Sequence, residues 1–296
     1  MKNRKNQSPY HLMMLPGMIF LLVFSIIPMF GIVIAFEKYI PTKGILHSQW
    51  VGLSNFLFIF QTPASMQIFL NTIILALLKM LTGLVVPLGY ALLLNEIKTI
   101  GYKRSIQTII YLPHFLSWVI LANIVLSMVA LDGTINKLVG LLGIPPTFFM
   151  INPGWFRPIV VVSDIWKEAG FGTILYMAAI TAINPSLYEA AVIDGAGKWG
   201  RMWNITLPGI LPTIILLATL SLGRILDAGF DQVFNLYNPL LYSTADIVDT
   251  FIYRVGLLNA QYGLATAVGM IKSVISFSLI MISYALASKY ANYRIL

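Results

Sequence analysis

The chain has 296 residues, 58% of them hydrophobic and 10% charged, where a soluble globular domain carries about 25% charged residues, so the excess apolar surface calls for a bilayer. The net charge is +8, but the basic residues are scattered between apolar runs without a dense aromatic–basic patch; this argues against nucleic acid and fits the positive-inside rule of membrane proteins. Cysteine is absent, which excludes a disulfide framework and a Cys-ligated metal site.

A helix needs about 20 apolar residues to cross a bilayer, and six segments qualify: 15–36, 67–94, 106–131, 156–183, 208–231 and 262–288. The first follows Met1-Lys-Asn-Arg-Lys5, is longer than a signal-peptide core, and has no small-residue cleavage site after it, so it reads as an uncleaved span. With the N-terminus in the cytoplasm, the inner segments hold Lys2, Arg4, Lys5, Lys98, Lys103, Arg104, Lys198, Arg201, Lys289 and Arg294, and the outer ones hold Lys38, Lys43, Lys137, Arg157 and Arg254. Ten against five places both termini inside. The predicted fold is an all-α polytopic membrane protein of six spans. Residues 1–66 form the N-terminal tail, first span and outer loop; 67–288 form a five-helix transport domain; 289–296 form a cytoplasmic tail. The outer segments around Pro145-Pro-Thr-Phe-Phe149 and from Asn235 to Thr244 read as short extracytoplasmic loops on which a soluble partner could dock, or as plain connections.

The inner loop between the fourth and fifth spans runs from Asn184 to Pro208. Asn184-Pro185 opens a helix, with proline tolerated in the first turn. Gly195 and Gly197 permit a sharp turn. A second short helix presents Trp199 and Trp203 at i, i+4 on one face, and Pro208 begins the next span. Gly195-Ala-Gly-Lys198 does not make a phosphate loop: the motif needs a glycine four residues ahead of its Gly-Lys and Ser or Thr behind it, and Val192 and Trp199 stand there.

Glu189-Ala190-Ala191, three residues, Gly195, nine residues, Ile205, one residue, Leu207-Pro208 resembles the "EAA" loop of ABC importer permeases. Asp164-Ile-Trp-Lys-Glu-Ala-Gly170, Phe230-Asp-Gln-Val-Phe234, Leu112-Pro-His-Phe115, Tyr237-Asn-Pro239 and the run Asp246 to Arg254 are similar to the branch handling oligo- and polysaccharides, related to the maltose-transporter permeases without their extra N-terminal spans. The resemblance implies a type I importer fold in the bacterial cytoplasmic membrane, in which this loop is the coupling helix. Glu189, Ala190, Ala191, Asp194, Gly195, Ala196, Trp199, Trp203, Leu207 and Pro208 would then engage a separate ATPase. The implied partners are a second, homologous permease in a heterodimer, two ATPase subunits that bind the ATP and magnesium, an extracytoplasmic solute-binding protein, and a carbohydrate cargo. No cofactor belongs to this chain itself, and no nucleic acid is expected.

Ionisable groups within spans are expensive and face a protein interior or a water-filled path. Asp164, Lys167 and Glu168 share one face of the fourth span, and Arg224, Asp227 and Asp231 one face of the fifth. Lys79 and Lys272 have no acidic neighbour on their own helices, which points to a preference for acidic sugars such as uronates. Four cations (with Lys167 and Arg224) meet four anions, so mutual neutralisation and a polar path both remain open. Phe115, Trp118, Trp166, Phe171 and Tyr176 supply aromatic faces suited to sugars, or to packing. The three histidines are far apart in sequence, and no nucleophile–base or paired-carboxylate set marks an enzyme. An ion-gradient-driven transporter would show paired repeats and interrupted helices, and gives no reason for the loop at 189–208. An ABC importer for another solute fits the loop equally well.

Overall fold

The computed structural model describes residues 8–290; the tail charges Lys2, Arg4, Lys5 and Arg294 lie outside the described residues. Among the described residues five helices are long and apolar enough to cross a membrane, and the number rises to six if Pro153–Thr181 and Pro185–Ile193, which meet at a 72° bend, count as one span. The first span is helix α1 (Ser8–Leu21) continued by a π turn and a 3-10 segment to Phe36. The other long helices are α2 (Pro63–Asn95), α4 (Trp118–Val129), which opens the apolar span Trp118–Gly140, α5 (Pro153–Thr181), α7 (Leu207–Leu222) and α9 (Tyr262–Tyr290); α3 (Ile100–Tyr111) precedes α4, and α6 (Pro185–Ile193) precedes α7. The only strands among the described residues are β1 (Glu37–Lys38) and β2 (Gln49–Trp50), paired antiparallel with Glu37 opposite Trp50.

The chain forms two units, one of Met1–Thr62 with Phe251–Ile271 and one of Pro63–Thr250 with Lys272–Leu296. In the first, Asn55 Nδ2 donates to the carbonyls of Ala35 at 2.8 Å and Glu37 at 3.1 Å and fixes the turn into β1. Phe36 stacks on Trp50 at 5.6 Å. The residues of α1 from Tyr10 onward are exposed, as lipid-facing or subunit-facing apolar surface is in an isolated chain.

The second unit is built on α2 and α5, which pack along one another. One core gathers Leu75, Leu121, Val125, Phe156, Val160, Val233, Leu236 and Leu241; a second gathers Ala91, Leu94, Tyr176, Met177, Ile180 and Ile210. Two expected spans are interrupted. The segment 106–131 breaks at Leu112–Ser117, because Pro113 cannot donate a backbone hydrogen bond; Ser117 then caps α4 by accepting from the Ile120 amide at 3.3 Å. The segment 208–231 stops at Leu222, and the chain turns through Gly229 at φ +83° into α8 (Phe230–Leu236). Arg224, Asp227 and Asp231 therefore do not share a helix face. The stretch Asn235–Thr244 is anchored to the helices: Leu236 and Leu241 lie in the core, and Asn71 of α2 donates to the Ser243 carbonyl at 3.2 Å. The loop around Pro145 is clamped by Asn136, whose amide donates to the carbonyls of Ala130 and Thr147 and accepts from the Thr147 amide.

Gly170 of α5 lies against the Ile110 carbonyl of α3, where a Cβ would collide with backbone. Gly170→Val is expected to prevent recovery of folded protein, and Gly170→Ala to destabilise it by about 1–3 kcal/mol. Gly83→Ala, in the interior of α2 with nothing within 4 Å, should not lower the thermal unfolding midpoint in detergent and should raise it slightly, since alanine is the better helix former.

Candidate functional site

At the centre of the second unit a lysine meets a broken helix. Lys79 stands at the midpoint of α2. Its Nζ pairs with Asp164 Oδ1 at 2.9 Å and donates to Gln232 Oε1 at 2.7 Å and to the Ala228 carbonyl at 3.1 Å. Gln232 is fully buried and donates in turn to the Val160 carbonyl at 2.7 Å and Ser163 Oγ at 2.8 Å. The break between α7 and α8 thus lies beside the middle of α2, and Lys79 supplies a donor to a carbonyl that the helix no longer satisfies. Asp227 Oδ1 accepts from the Gly229 amide at 3.2 Å, closing the turn from its other side.

The break between α3 and α4 is held in the same manner. Lys167, buried on α5, donates to the carbonyls of His114 at 2.6 Å and Leu116 at 2.8 Å, and its Nζ lies 5.6 Å from the Trp118 ring centroid. Glu168, on the next position of α5, sits 2.8 Å from His114 Nδ1, and the His114 ring stacks on Phe171 with centroids 4.0 Å apart. Phe115 projects 74% exposed beside them. His114, Glu168, Phe171 and Phe115 form a half-exposed aromatic and polar cluster at a helix break.

The remaining residues divide. Tyr176 is 1% exposed, with its hydroxyl donating to the Leu84 carbonyl at 3.2 Å; it packs the core instead of lining a path. Trp166 lines a different space, an apolar cavity of about 430 Å³ shared with Val125, Met128, Trp155 and Val162. Lys272 is bound bidentately by Asp249 at 2.6 and 2.8 Å. Neither Lys79 nor Lys272 is therefore a free cation for an acidic sugar: each has a carboxylate from another part of the chain, which its own helix could not reveal. Arg224 and Asp227 are exposed at the break after α7. The sequence reading did not single out His114, Gln232, Ser163 or Asp249 as site residues; Pro113, next to His114, and Gly229, three residues before Gln232, were the available signal for the first two, and nothing local marked Ser163 or Asp249.

The other site is the loop 184–208. Asn184 caps α6 by accepting from the Ser186 amide at 3.1 Å, with Pro185 in the first turn. Gly195 turns the chain at φ +79°, and Gly197 caps the next helix in ordinary extended geometry. No separate second helix follows. Lys198–Arg201 runs through a π turn, Met202–Thr206, straight into α7, so Trp199, Trp203 and Pro208 belong to one rod from Lys198 to Leu222. The π turn places Trp199 and Trp203 outside regular i, i+4 register, yet both remain on the surface. Tyr188 on α6 ties the hairpin to the rod through its hydroxyl, 2.9 Å from Thr206 Oγ1. Ile193 is 85% exposed, Trp199 71% and Trp203 63%, with Glu189, Ala190, Asp194 and Gly195 also on the surface. Ala191, Ala196 and Leu207 are half-buried.

The chain belongs to the family of binding-protein-dependent transport system inner membrane components, whose model matches residues 88–292. It is thus a membrane-embedded permease subunit of an ABC importer, a transport component and not an enzyme, with ATP hydrolysis left to a separate partner. Over 97% of its length it is 44% identical to the polygalacturonan/rhamnogalacturonan transport system permease protein YteP of Bacillus subtilis, covering 89% of that relative. It also matches the crystal structure of a bacterial ABC transporter involved in import of the acidic polysaccharide alginate, with a TM-score of 0.89 at 39% identity over 96% of both chains. A second structure, of the alginate transporter in complex with its alginate pentasaccharide-bound periplasmic protein, matches with a TM-score of 0.88 at 39% identity over 96% of this chain and 95% of that one.

Breaking one partner of a buried ion pair costs about 3–5 kcal/mol. Lys79→Met is expected to destabilise the protein on that scale, measured by unfolding in detergent. Adding Asp164→Leu to it should restore part of the loss, leaving about 1–3 kcal/mol for the unsatisfied Ala228 carbonyl and Gln232.

Proposed function

We propose that the chain is one of two homologous permease halves of an importer that carries an acidic oligo- or polysaccharide across the cytoplasmic membrane. Both termini face the cytoplasm, as the sequence's charge asymmetry favours. Two ATPase subunits, which hold the ATP and magnesium, engage the hairpin 184–206. An extracytoplasmic solute-binding protein delivers the cargo. The observation that carries the coupling assignment is the hairpin's surface: Ile193, Trp199 and Trp203 are exposed at the tip of a clamped structure, and apolar side chains on a polar side of the membrane call for a protein partner.

The substrate class is supported by the relatives' cargoes, since polygalacturonan, like alginate, is a polymer of uronic acids. Within this chain, Lys79, Lys167 and Lys272 are engaged, and Arg224 is the exposed cation at the break after α7. Arg224 presents a planar fork that matches a carboxylate, while the His114–Phe171 stack, Phe115 and Glu168 offer aromatic faces and a hydroxyl acceptor. A closed path needs the second permease, because these groups lie on the surface of this half alone. Phosphorylated or neutral solutes are the competing cargo.

ATP-dependent uptake of labelled oligogalacturonate into proteoliposomes holding the whole complex tests this reading. Uptake of the acidic oligosaccharide and not of its methyl-esterified, uncharged form supports it; the reverse preference rejects it. Arg224→Gln should raise the half-saturating concentration of acidic oligosaccharide about tenfold, the scale of one charge-assisted contact, and leave the basal ATPase rate alone.

A further inference from the structure

At the far end of the first span the chain enters β1 at Glu37, which is 5% exposed. Its Oε2 is buried and has no hydrogen-bond partner among the described residues. The Asn55 amide hydrogens go to the backbone carbonyls of Ala35 and Glu37, not to the carboxylate. A buried carboxylate without a donor is costly, and buried polar groups in folded proteins are almost always satisfied. Glu37 also lines a pocket of about 600 Å³, together with Tyr39, Asn55, Gln261, Tyr262 and the exposed Lys38, which makes no ion pair with Glu37, all within one unit of the chain. Tyr39 and Tyr262 meet edge to face there at 5.9 Å. Ala260, on the same wall, holds a left-handed backbone at φ +54°, an uncommon conformation for a residue with a Cβ that keeps Gln261 and Tyr262 at the pocket edge.

A carboxylate beside two phenol rings is the chemistry of a site for an ammonium or guanidinium group, which gains from both the charge and the ring faces. We infer that this pocket receives a lysine or arginine side chain of the solute-binding protein, with Glu37 as its ion-pair partner. The inference rests on the importer reading, which places the end of the first span and the start of α9 on the extracytoplasmic side. An acidic cargo is a poor occupant, because Glu37 would repel it. A metal ion is a poor one as well: among the described residues no group of three His, Asp or Glu could hold it.

The test is the ATPase rate of the reconstituted complex, titrated with its cargo-loaded binding protein at low and high salt. Glu37→Gln keeps shape and hydrogen bonding and removes the charge. Its half-saturating concentration of binding protein is expected to rise at least ~10-fold with the maximal rate retained, and its salt dependence to flatten. Ser54→Lys, which supplies a cation to the same pocket from within the chain and leaves Glu37 in place, should raise that concentration too; it decides the matter if the Glu37 variant does not assemble. An unchanged half-saturating concentration in an assembled variant overturns the inference, as does a fall confined to the maximal rate. A wild-type complex that the binding protein does not stimulate sinks the importer reading itself, and the inference with it.

Discussion

A backbone carbonyl freed from its helix in the apolar part of a membrane must find a donor, because no water is there to supply one. This chain interrupts its helices after Tyr111 and after Leu222, and in each case a lysine from a neighbouring helix donates to the freed carbonyls. Lys167 serves the carbonyls of His114 and Leu116, and Lys79 that of Ala228. Each lysine is then balanced by a carboxylate, Glu168 at 3.6 Å and Asp164 at 2.9 Å. The charges within the spans are in this sense consequences of the breaks. The breaks in turn expose what an unbroken helix would bury: His114 and Phe115 at one, Arg224 and Asp227 at the other.

The same geometry connects the hairpin to the second break. Tyr188 and Thr206 join α6 to the rod that starts at Lys198, and the rod runs to Leu222, two residues short of Arg224. The hairpin is thus joined by one helical path, whose regular hydrogen bonding is interrupted by the π turn 202–206 and by Pro212, to the point where the helix ends. Beyond that point the chain is held by Lys79 and Gln232, hydrogen-bonded partners that can exchange, and not by continuous helix. A helix end next to a polar knot is the kind of place where rigid elements can move about a few residues that absorb the change.

Much of this was legible in the sequence. The spans announce themselves by length and apolarity, and Asn184-Pro185 and Gly195 mark the hairpin because a cap, a first-turn proline and a left-handed turn each demand particular residues. The breaks were less legible: Pro113 and Gly229 lay in view, but a long apolar window averages over them. Pairings between helices could not be read at all. Lys79 and Asp164 are separated by most of two spans, and Lys272 finds Asp249 outside its own helix, so lysines that look solitary along the chain are neutralised in the fold. Tyr176, chosen for its ring, was assigned to the core by neighbours such as Leu84 that its own helix does not contain.

The account turns on the hairpin as the place where nucleotide energy enters the membrane. Gly195 stands at φ +79° in open space, so Gly195→Asp strains the turn by roughly 1–2 kcal/mol without a collision and sets a carboxylate at the partner surface. The decisive measurement is the ATPase activity of this variant in the complete complex, stimulated by binding protein and acidic oligosaccharide. An assembled complex that has lost its stimulation is the predicted result; an assembled complex that turns over as fast as the wild type would contradict the account.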